Sequence, residues 1–275
     1  MNALLQFELQ SYFKKIRFHL LMVFIVSIGV FAGTKFSISV GSEIYKKAPY
    51  TLFYMIGFLS LLSIFFTTLL ASQILFKEEE AHFNFILFAT PITKKVYLKN
   101  RFILVFGISF LLFALLVLGY AIGQQIRWNT NDYIHSNIID YLIPVILLGG
   151  INTFFCSALI CSISWLTQNK LMTYISGLFI YILYMVALLF SNSPFMAQSM
   201  PQSEEARKIA ALIDPFGLSG FFMQTNSYSI TQKNTEIIFP EGYFLINRVV
   251  VLLLSILFLG STYHFFSFQI KNINY

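Results

Sequence analysis

Six long apolar runs separated by polar segments form the main pattern along the chain. An α-helix needs about 20 apolar residues to cross the roughly 30 Å hydrocarbon core of a bilayer. Because a helix satisfies its backbone hydrogen bonds internally, runs of this length predict an all-α integral membrane protein with six transmembrane helices, in a single domain that covers residues 1–275. The predicted spans are residues 18–36, 50–76, 102–126, 141–166, 171–191 and 243–266.

Residues 1–17, which precede the first span, have helical periodicity. The two faces are Leu5, Leu9, Tyr12, Phe13 and Ile16 on the apolar side, and Gln6, Glu8, Gln10, Lys14 and Lys15 on the polar side. This pattern predicts an amphipathic helix in the membrane interface. A basic stretch before an apolar run is also typical of a cleaved signal peptide. A long leader with an acidic residue is unusual, so we favour a retained first span; the mass of the mature protein tests this.

The segment between the second and third spans, residues 77–101, reads KEEEAHFNFILFATPITKKVYLKNR. Glu78, Glu79 and Glu80 begin a helical pattern, where acidic side chains complement the helix dipole, and Pro91 ends it. The segment predicts a short helix that lies flat on the membrane surface with one face free for a partner. Its apolar positions at helical spacing are Phe83, Ile86 and Leu87.

Basic residues gather where this segment enters the third span. They are Lys94, Lys95, Lys99 and Arg101. Positive charge beside a span retains a loop in the cytoplasm, and six spans place both ends of the chain on one side. We therefore expect a multi-pass protein of the cytoplasmic (inner) membrane with both termini in the cytoplasm.

Residues 192–242, between the fifth and sixth spans, also carry helix signals. Ser203 is a candidate N-cap with acidic residues after it, and the apolar positions that follow share one face. Those positions are Ala206, Ile209, Leu212 and Ile213. Asp214, Pro215 and Gly217 then fit the first, second and fourth positions of a type I turn. This segment predicts a helix that lies on the outer leaflet and stops at the turn.

The composition agrees with a lipid environment and argues against nucleic acid as a partner. The chain is 57% hydrophobic and 11% charged, against about 25% charged residues in a soluble domain. The net charge of +6 comes from Lys and Arg residues scattered at the ends of the spans. They form no aromatic-interleaved basic patch, so nucleic acid is not an expected partner. Cys156 and Cys161 lie in one apolar run and are expected to be core residues.

The sequence lacks the motifs of catalytic sites. No glycine stands in a GxxxxGK[ST] phosphate loop, so ATP must be bound by another chain. There is no HExxH motif and the histidines are isolated, so no metal or cofactor is expected. The predicted spans contain no Asp or Glu, and their only Lys and Arg residues, Lys35 and Arg248, lie near the edges, unlike the buried charges of ion-coupled carriers and intramembrane enzymes. We expect a protein that is not an enzyme and draws its energy from outside the membrane.

Small and hydroxyl side chains recur at helical spacing in two of the spans. The second span has Ser60, Ser63, Thr67 and Ser72, and the fifth has Tyr174, Gly177, Tyr181 and Tyr184. Such residues most often permit close packing of helices in lipid, and the alternative is that they line a transport path. The fourth span has Gly149, Gly150, Thr153 and Ser157, which we expect to serve packing only.

Two stretches resemble one family of transporters. The acidic cluster, the pattern AxFNFxxFATPIT and the basic residues after it resemble the cytoplasmic loop between the second and third spans of type-2 ABC exporter permeases. The order DPFG, Asn234-Thr235 and Asn247-Arg248 resembles the outer loop of the same family. The similarity covers nearly the whole chain and is closest to the permease regions that some bacteria fuse to a zinc aminopeptidase, without the peptidase part.

The resemblance implies a permease subunit that works with two ABC ATPase subunits in trans, as a homodimer or as a heterodimer with a related permease. Residues 1–17 would be the elbow helix and residues 77–101 the coupling segment. Its ATPase contacts would be Glu78, Glu79, Glu80, Phe83, Phe85 and Pro91. Pathway residues would be Ser60, Ser63, Thr67, Tyr174, Tyr181 and Tyr184, and structural residues of the outer loop would be Asp214, Pro215, Gly217, Asn247 and Arg248.

A different class of function also fits these residues. In a non-transporting membrane sensor or anchor subunit, the segment 77–101 binds an ATPase or a signalling partner and nothing crosses the membrane. Transport by a reconstituted complex, compared with one whose ATPase is inactive, separates the two classes. A membrane enzyme is the third and weakest interpretation, because the predicted spans lack the groups that catalysis requires.

Overall fold

The computed structural model describes residues 3–36, 43–80, 93–126, 136–189 and 203–267, and within these ranges it contains helices and no strands. The α-helices are α1 Ala3–Phe13, α2 Ile16–Lys35, α3 Pro49–Leu59, α4 Leu62–Leu75, α5 Lys77–Glu80, α6 Lys94–Ile126, α7 Ile138–Pro144, α8 Ile151–Thr167, α9 Lys170–Leu189, α10 Glu204–Ile213, α11 Leu218–Thr225, α12 Ile230–Thr235 and α13 Gly242–Phe265. A π-helical segment, Val145–Gly150, joins α7 to α8.

Five helical stretches are long and apolar enough to cross a membrane. They are α2, the pair α3–α4, α6, the stretch α7–α8 with its π-helical segment, and α13. They correspond to the first four predicted spans and to the sixth, which supports a membrane-embedded all-α protein. The fifth predicted span corresponds to α9, of which Lys170–Val186 counts as a shorter apolar helix. A count of six spans therefore stays a prediction.

Glycines bring α2 and α6 into backbone contact. Gly29 and Gly33 of α2 face Gly119 and Gly123 of α6, and a Cβ atom at any of the four would overlap a backbone carbonyl oxygen of the other helix. Helices in lipid associate through such small residues, because a close approach increases the dispersion contact between them. The first span is therefore an integral part of the packed bundle, through a pairing that we did not anticipate from the sequence.

Two of the spans are interrupted. The second span breaks between α3 and α4, at Ser60, whose hydroxyl donates a 2.6 Å hydrogen bond to the Gly57 carbonyl. The fourth span contains Pro144, which has no N–H to continue an α-helix, and the π-helical segment begins directly after it. Within that segment a Cβ atom at Gly149 would meet the Phe113 ring, so the predicted packing role of Gly149 is confirmed.

The predicted division of residues 1–17 into two faces is wrong in part. The helix α1 exists, but Glu8, which we placed on the polar face, is buried with 6% of its surface exposed. Phe13 and Ile16, which we placed on the apolar face, are 42% and 70% exposed, as side chains that contact lipid are when the protein is considered alone. The reason is that Glu8 forms an ion pair with an arginine of α6, which turns this side of α1 inward.

Other local predictions are confirmed. The Ser203 hydroxyl accepts a hydrogen bond from the Ala206 N–H at 3.2 Å, as an N-cap does. The helix α10 stops at the predicted turn, where the Gly217 N–H donates to the Asp214 carbonyl at 3.2 Å. Cys156 and Cys161 are free and buried, in agreement with core positions. Ile209 and Ile213 of α10 are exposed, and the position of this helix on the outer leaflet stays a prediction.

Candidate functional site

Arg101 of α6 is the centre of a buried ion cluster. Its side chain is 3% exposed, and its Nη1 atom lies 2.7 Å from the Glu8 Oε1 atom of α1. Its Nη2 atom contacts the Oε1 atom of Glu78, which belongs to α5 at the start of the segment 77–101. The guanidinium carbon also lies 5.7 Å from the centroid of the Tyr97 ring. This Arg101 cluster, formed by Glu8, Glu78 and Arg101, joins three helices at one end of the bundle.

The chemistry of the cluster favours a fixed junction. The planar guanidinium group presents N–H donors in two directions, so one arginine pairs with two carboxylates. Removing one member of a buried ion pair costs about 3 to 5 kcal/mol, because an uncompensated charge is left behind. Burial raises the pKa of the nearby Tyr12 phenol, with a smaller opposing effect of Arg101, so Tyr12 is neutral at physiological pH.

A second ion pair lies at the same end and is exposed. Lys170, the first residue of α9, contacts the Glu80 carboxylate, and the two side chains are 39% and 55% exposed. Exposed pairs of this kind contribute about 0.2 to 1 kcal/mol. Together with the Arg101 cluster, this pair attaches the start of the segment 77–101 to α1, α6 and α9.

These contacts bear on the predicted ATPase-contact residues. The Glu78 carboxylate is largely buried on Arg101, whereas Glu80 keeps more than half of its side chain exposed. Of the three acidic residues, Glu80 is thus the one whose described side chain is open to a partner. The side chain of Glu79, and Phe83, Phe85 and Pro91, lie outside the described residues. An ATPase contact of the segment stays a prediction.

Lys94 links the beginning of α6 to the end of α13. Its Nζ atom donates to the His264 carbonyl at 3.4 Å and lies 5.2 Å from the centroid of the Tyr263 ring. The same nitrogen lies 5.9 Å from the centroid of the Phe266 ring, so the ammonium group has aromatic faces around it. Non-covalent contacts therefore connect α1, α6, α9 and α13 at the end of the bundle that carries the Arg101 cluster.

At the opposite end of the bundle, Arg248 of α13 is buried with 2% of its surface exposed. Its Nη1 atom donates to the Asn152 Oδ1 atom at 2.9 Å, and its Nε atom donates to the Asn247 Oδ1 atom at 3.0 Å. Its Nη2 atom donates to the Pro215 carbonyl at 3.2 Å. These acceptors are neutral oxygens that belong to three separate parts of the chain.

Two amide side chains extend this network. Asn152 of α8 donates to the Ser60 hydroxyl at 2.8 Å and to the Phe216 carbonyl at 3.2 Å. Asn247 donates to the Leu212 carbonyl at 2.9 Å and to the Asp214 carbonyl at 2.8 Å. We call the set Ser60, Asn152, Asp214, Asn247 and Arg248 the Arg248 node.

The turn at residues 214–217 is built around the node. The Asp214 carboxylate accepts hydrogen bonds from the Phe216 N–H at 2.8 Å and from the Ser219 N–H at 2.7 Å, which closes the turn and begins α11. Gly217 has a φ of 75°, and a Cβ atom there would overlap the Arg248 guanidinium. A glycine is required at this position for both its backbone conformation and the space beside it.

The predicted structural residues of the outer loop therefore come together, namely Asp214, Pro215, Gly217, Asn247 and Arg248. Ser60, which we predicted from its spacing alone, joins them. Asn152 was missed, although it is the single amide side chain within the fourth apolar run. An isolated amide in a span needs a polar partner, and that requirement was the available signal.

The predicted pathway residues lie in two environments. Ser60, Ser63 and Thr67 are fully buried. On α9, Tyr184 is buried against the Phe216 ring at 4.7 Å between centroids, Tyr181 is partly buried and Tyr174 is 41% exposed. A Cβ atom at Gly177 would overlap the Thr68 side chain of α4. The contact of α4 with α9 is a packed one, and the lining of a transport path stays a prediction.

Comparisons of the chain with models of protein families, with curated proteins and with solved structures found no match.

Proposed function

We propose that this chain is the transmembrane permease subunit of an ATP-binding-cassette exporter of the type-2 class. A separate ATPase chain drives it by docking on the segment 77–101. The resemblance of this segment and of the 214–217 turn to permease loops supports the proposal, together with the helical bundle and its five candidate membrane spans.

The Arg101 cluster is the observation that carries the proposal. A docking loop transmits force only if it is attached to the spans that must move. Here Glu78 is attached to α1 and α6 through a buried arginine, and Glu80 is attached to α9. A partner that moves residues 77–101 therefore moves α1 and α6 together through the buried Arg101 cluster, as coupling of ATP hydrolysis to a change in the membrane requires, whereas the exposed contact with α9 can exchange.

Electrostatics favours a cationic partner for this segment. Because Arg101 neutralises Glu78, the relevant charge is that of Glu80, whose exposed carboxylate is repelled by anionic lipid headgroups and attracted by a basic protein surface. Glu80 is exposed enough to make such a contact, and its pair with Lys170 is weak enough to exchange. We infer that Glu78 holds the segment on the permease and that Glu80 faces the ATPase.

The apolar surface of the bundle fits an assembly in a bilayer. Exposed apolar residues cover the outer sides of α9 and α13, among them Leu178, Phe179, Ile182, Leu253, Ile256 and Leu257. Lipid or a second permease subunit covers such surfaces in a membrane. We propose two permease copies, or one copy with a related partner, above two ATPase chains in the cytoplasmic (inner) membrane.

Isolation of the protein from its native membrane after chemical crosslinking tests the assembly. We expect an ATPase subunit with a phosphate-binding loop in the purified complex. Reconstitution in liposomes then tests the activity, because transport must stop when the ATPase is made inactive. An absence of any ATPase in the crosslinked complex contradicts the proposal. A bound ATPase without transport favours the sensor or anchor function instead.

A further inference from the structure

Two interruptions of the helical bundle meet at the Arg248 node. Ser60 lies where α3 gives way to α4, and Asn152 lies just after the π-helical segment Val145–Gly150. The Asn152 amide joins the two, because it donates to the Ser60 hydroxyl at 2.8 Å. Short π-helical segments are frequent at functional sites, where a helix has to bend or rearrange.

The charge at the centre of the node is costly to bury. An ionised group taken out of water loses a large hydration free energy, which hydrogen bonds to neutral oxygens only partly replace. Within the described residues Arg248 forms no direct salt bridge, because the Asp214 carboxylate accepts hydrogen bonds from the backbone N–H groups of Phe216 and Ser219 and acts on the guanidinium only through space. Removing the arginine would in turn leave the acceptor oxygens of Asn152, Asn247 and Pro215 buried without this donor, so the closed node stabilises the guanidinium and its acceptors together.

We propose that the Arg248 node is a latch, in which Arg248 and Asn152 hold the turn at residues 214–217 against the interruptions of the second and fourth spans. The latch opens reversibly and admits water to this end of the bundle. Arg248 lies in the first two turns of α13, about 9 Å from the start of the helix, so a small displacement of the turn hydrates it. In the open state hydration stabilises the charge, and in the closed state the oxygens of the node do so.

This inference concerns the chain by itself and does not depend on an ATPase partner. The two native cysteines provide the probes. Cys156 lies one helical turn beyond Asn152 and Cys161 lies more than one turn further along α8, and both are fully buried. The protein with the single change C161S reports opening at Cys156, and the protein with C156S reports opening at Cys161. Both are purified in lipid nanodiscs and labelled over time with a water-soluble maleimide.

Two substitutions are expected to change the rate of Cys156 labelling in opposite directions. In R248Q the node loses its charge and most of its donors, so Cys156 should react about tenfold faster, which corresponds to about 1.4 kcal/mol. In N152D a carboxylate accepts the Arg248 hydrogen bond, and charge-assisted bonds are about twice as strong as neutral ones. The Ser60 hydroxyl can donate to this carboxylate in place of accepting from the amide, so the bond to the Phe216 carbonyl is the one that is lost. Cys156 should then react about threefold more slowly than in the parent protein. The rate at Cys161 should change little in both.

The matched control is R207Q, which makes the same substitution on α10 outside the node and should leave both rates unchanged. If R248Q does not fold, R248K is used in its place. It retains the charge but lacks the planar guanidinium group, so the labelling rate of Cys156 should rise by less than in R248Q. The latch is excluded if N152D and the folded Arg248 variant both label Cys156 at the parent rate. It is also excluded if the Arg248 variant accelerates Cys161 as much as Cys156, because that result indicates general loosening of the bundle.

Discussion

Arg101 and Arg248 are both buried arginines, but their partners differ. Arg101 lies between the carboxylates of Glu8 and Glu78, whereas the acceptors of Arg248 are amide and backbone oxygens. Separating a buried ion pair leaves charges uncompensated on both sides, while a guanidinium that leaves neutral oxygens regains its hydration. At the scale of residues, the first arginine suits a permanent junction and the second suits a contact that opens.

The junction at Arg101 can be tested by substitution. R101Q leaves Glu8 and Glu78 buried without a cation, so the free energy of unfolding should fall by about 3 to 5 kcal/mol. R101K keeps the charge but lacks the planar guanidinium group, so its free energy of unfolding should fall by less than that of R101Q. Thermal unfolding of the purified protein in detergent measures the difference. An unfolding temperature of R101Q equal to that of the parent protein shows that the cluster does not hold the segment in place.

A rescue experiment distinguishes the contribution of the Arg101 charge to stability from the contribution of its packing. In the triple variant R101Q, E8Q and E78Q no charged group of the cluster remains, and amide side chains can bond one another. We expect this variant to recover most of the stability that R101Q alone loses. Failure to recover indicates that the long arginine side chain contributes mainly through its packing.

Glu8 shows why side-chain environments were harder to predict than helices. A helical wheel assigns Glu8 to the solvent because neighbouring positions on that side are polar. Its partner, Arg101, lies in another helix far along the chain, and local periodicity contains no information about it. Asn152 is a similar case, since its partners belong to the break between α3 and α4, to α13 and to the turn that follows α10.

At the scale of elements, the pairing of α2 with α6 supplies a test with an internal control. G119A places a methyl group against the backbone of α2, so overpacking should destabilise the protein by about 1 to 3 kcal/mol. G107A changes the same helix at a position where a Cβ atom meets nothing within 4 Å. Alanine favours a helix over glycine by about 1 kcal/mol, so G107A should be neutral or stabilising. Thermal unfolding in detergent compares G119A with G107A. Equal unfolding temperatures of the two variants contradict the close approach of α2 and α6.

The bounds of most long helices followed from the length of the apolar runs, because twenty apolar residues in lipid have few alternatives to a helix. The exception is α6, which begins at Lys94, well before the predicted span 102–126, because its charged first turns extend the helix beyond the apolar run. The interruption at Ser60 was not predicted, since no glycine or proline marks it. The cap at Ser203 and the turn at residues 214–217 were predicted, because their signals are local. What needed the structure was the convergence of separate elements at one point.

At the scale of the whole molecule, Glu80 is the residue that discriminates between internal and external partners. If Glu80 serves only Lys170, then the exchange E80K with K170E restores the pair and all function. If Glu80 faces a basic surface of the ATPase, the exchange restores the pair but not the coupling. We expect the second result, measured as ATP hydrolysis by the reconstituted complex. Stability should change by less than about 1 kcal/mol in either case.

The triple variant E78Q, E79Q and E80Q tests the acidic cluster as a unit. We expect the loss of transport-coupled ATP hydrolysis with insertion retained, together with a lower unfolding temperature that is caused by the loss of the Glu78 pair with Arg101. The matched variant E80Q alone should reduce coupling without that loss of stability. Normal coupling of the triple variant at physiological salt shows that the acidic residues take no part in it.

The dependence on an ATPase in trans is tested most directly by photocrosslinking from position 80 in native membranes. A benzophenone amino acid replaces Glu80, and the same amino acid at Ser227, which is exposed at the opposite end of the bundle, serves as the control. The proposal predicts a crosslink from position 80 to a chain with a phosphate-binding loop, and none to that chain from position 227. Crosslinks from position 80 that never include such an ATPase contradict it.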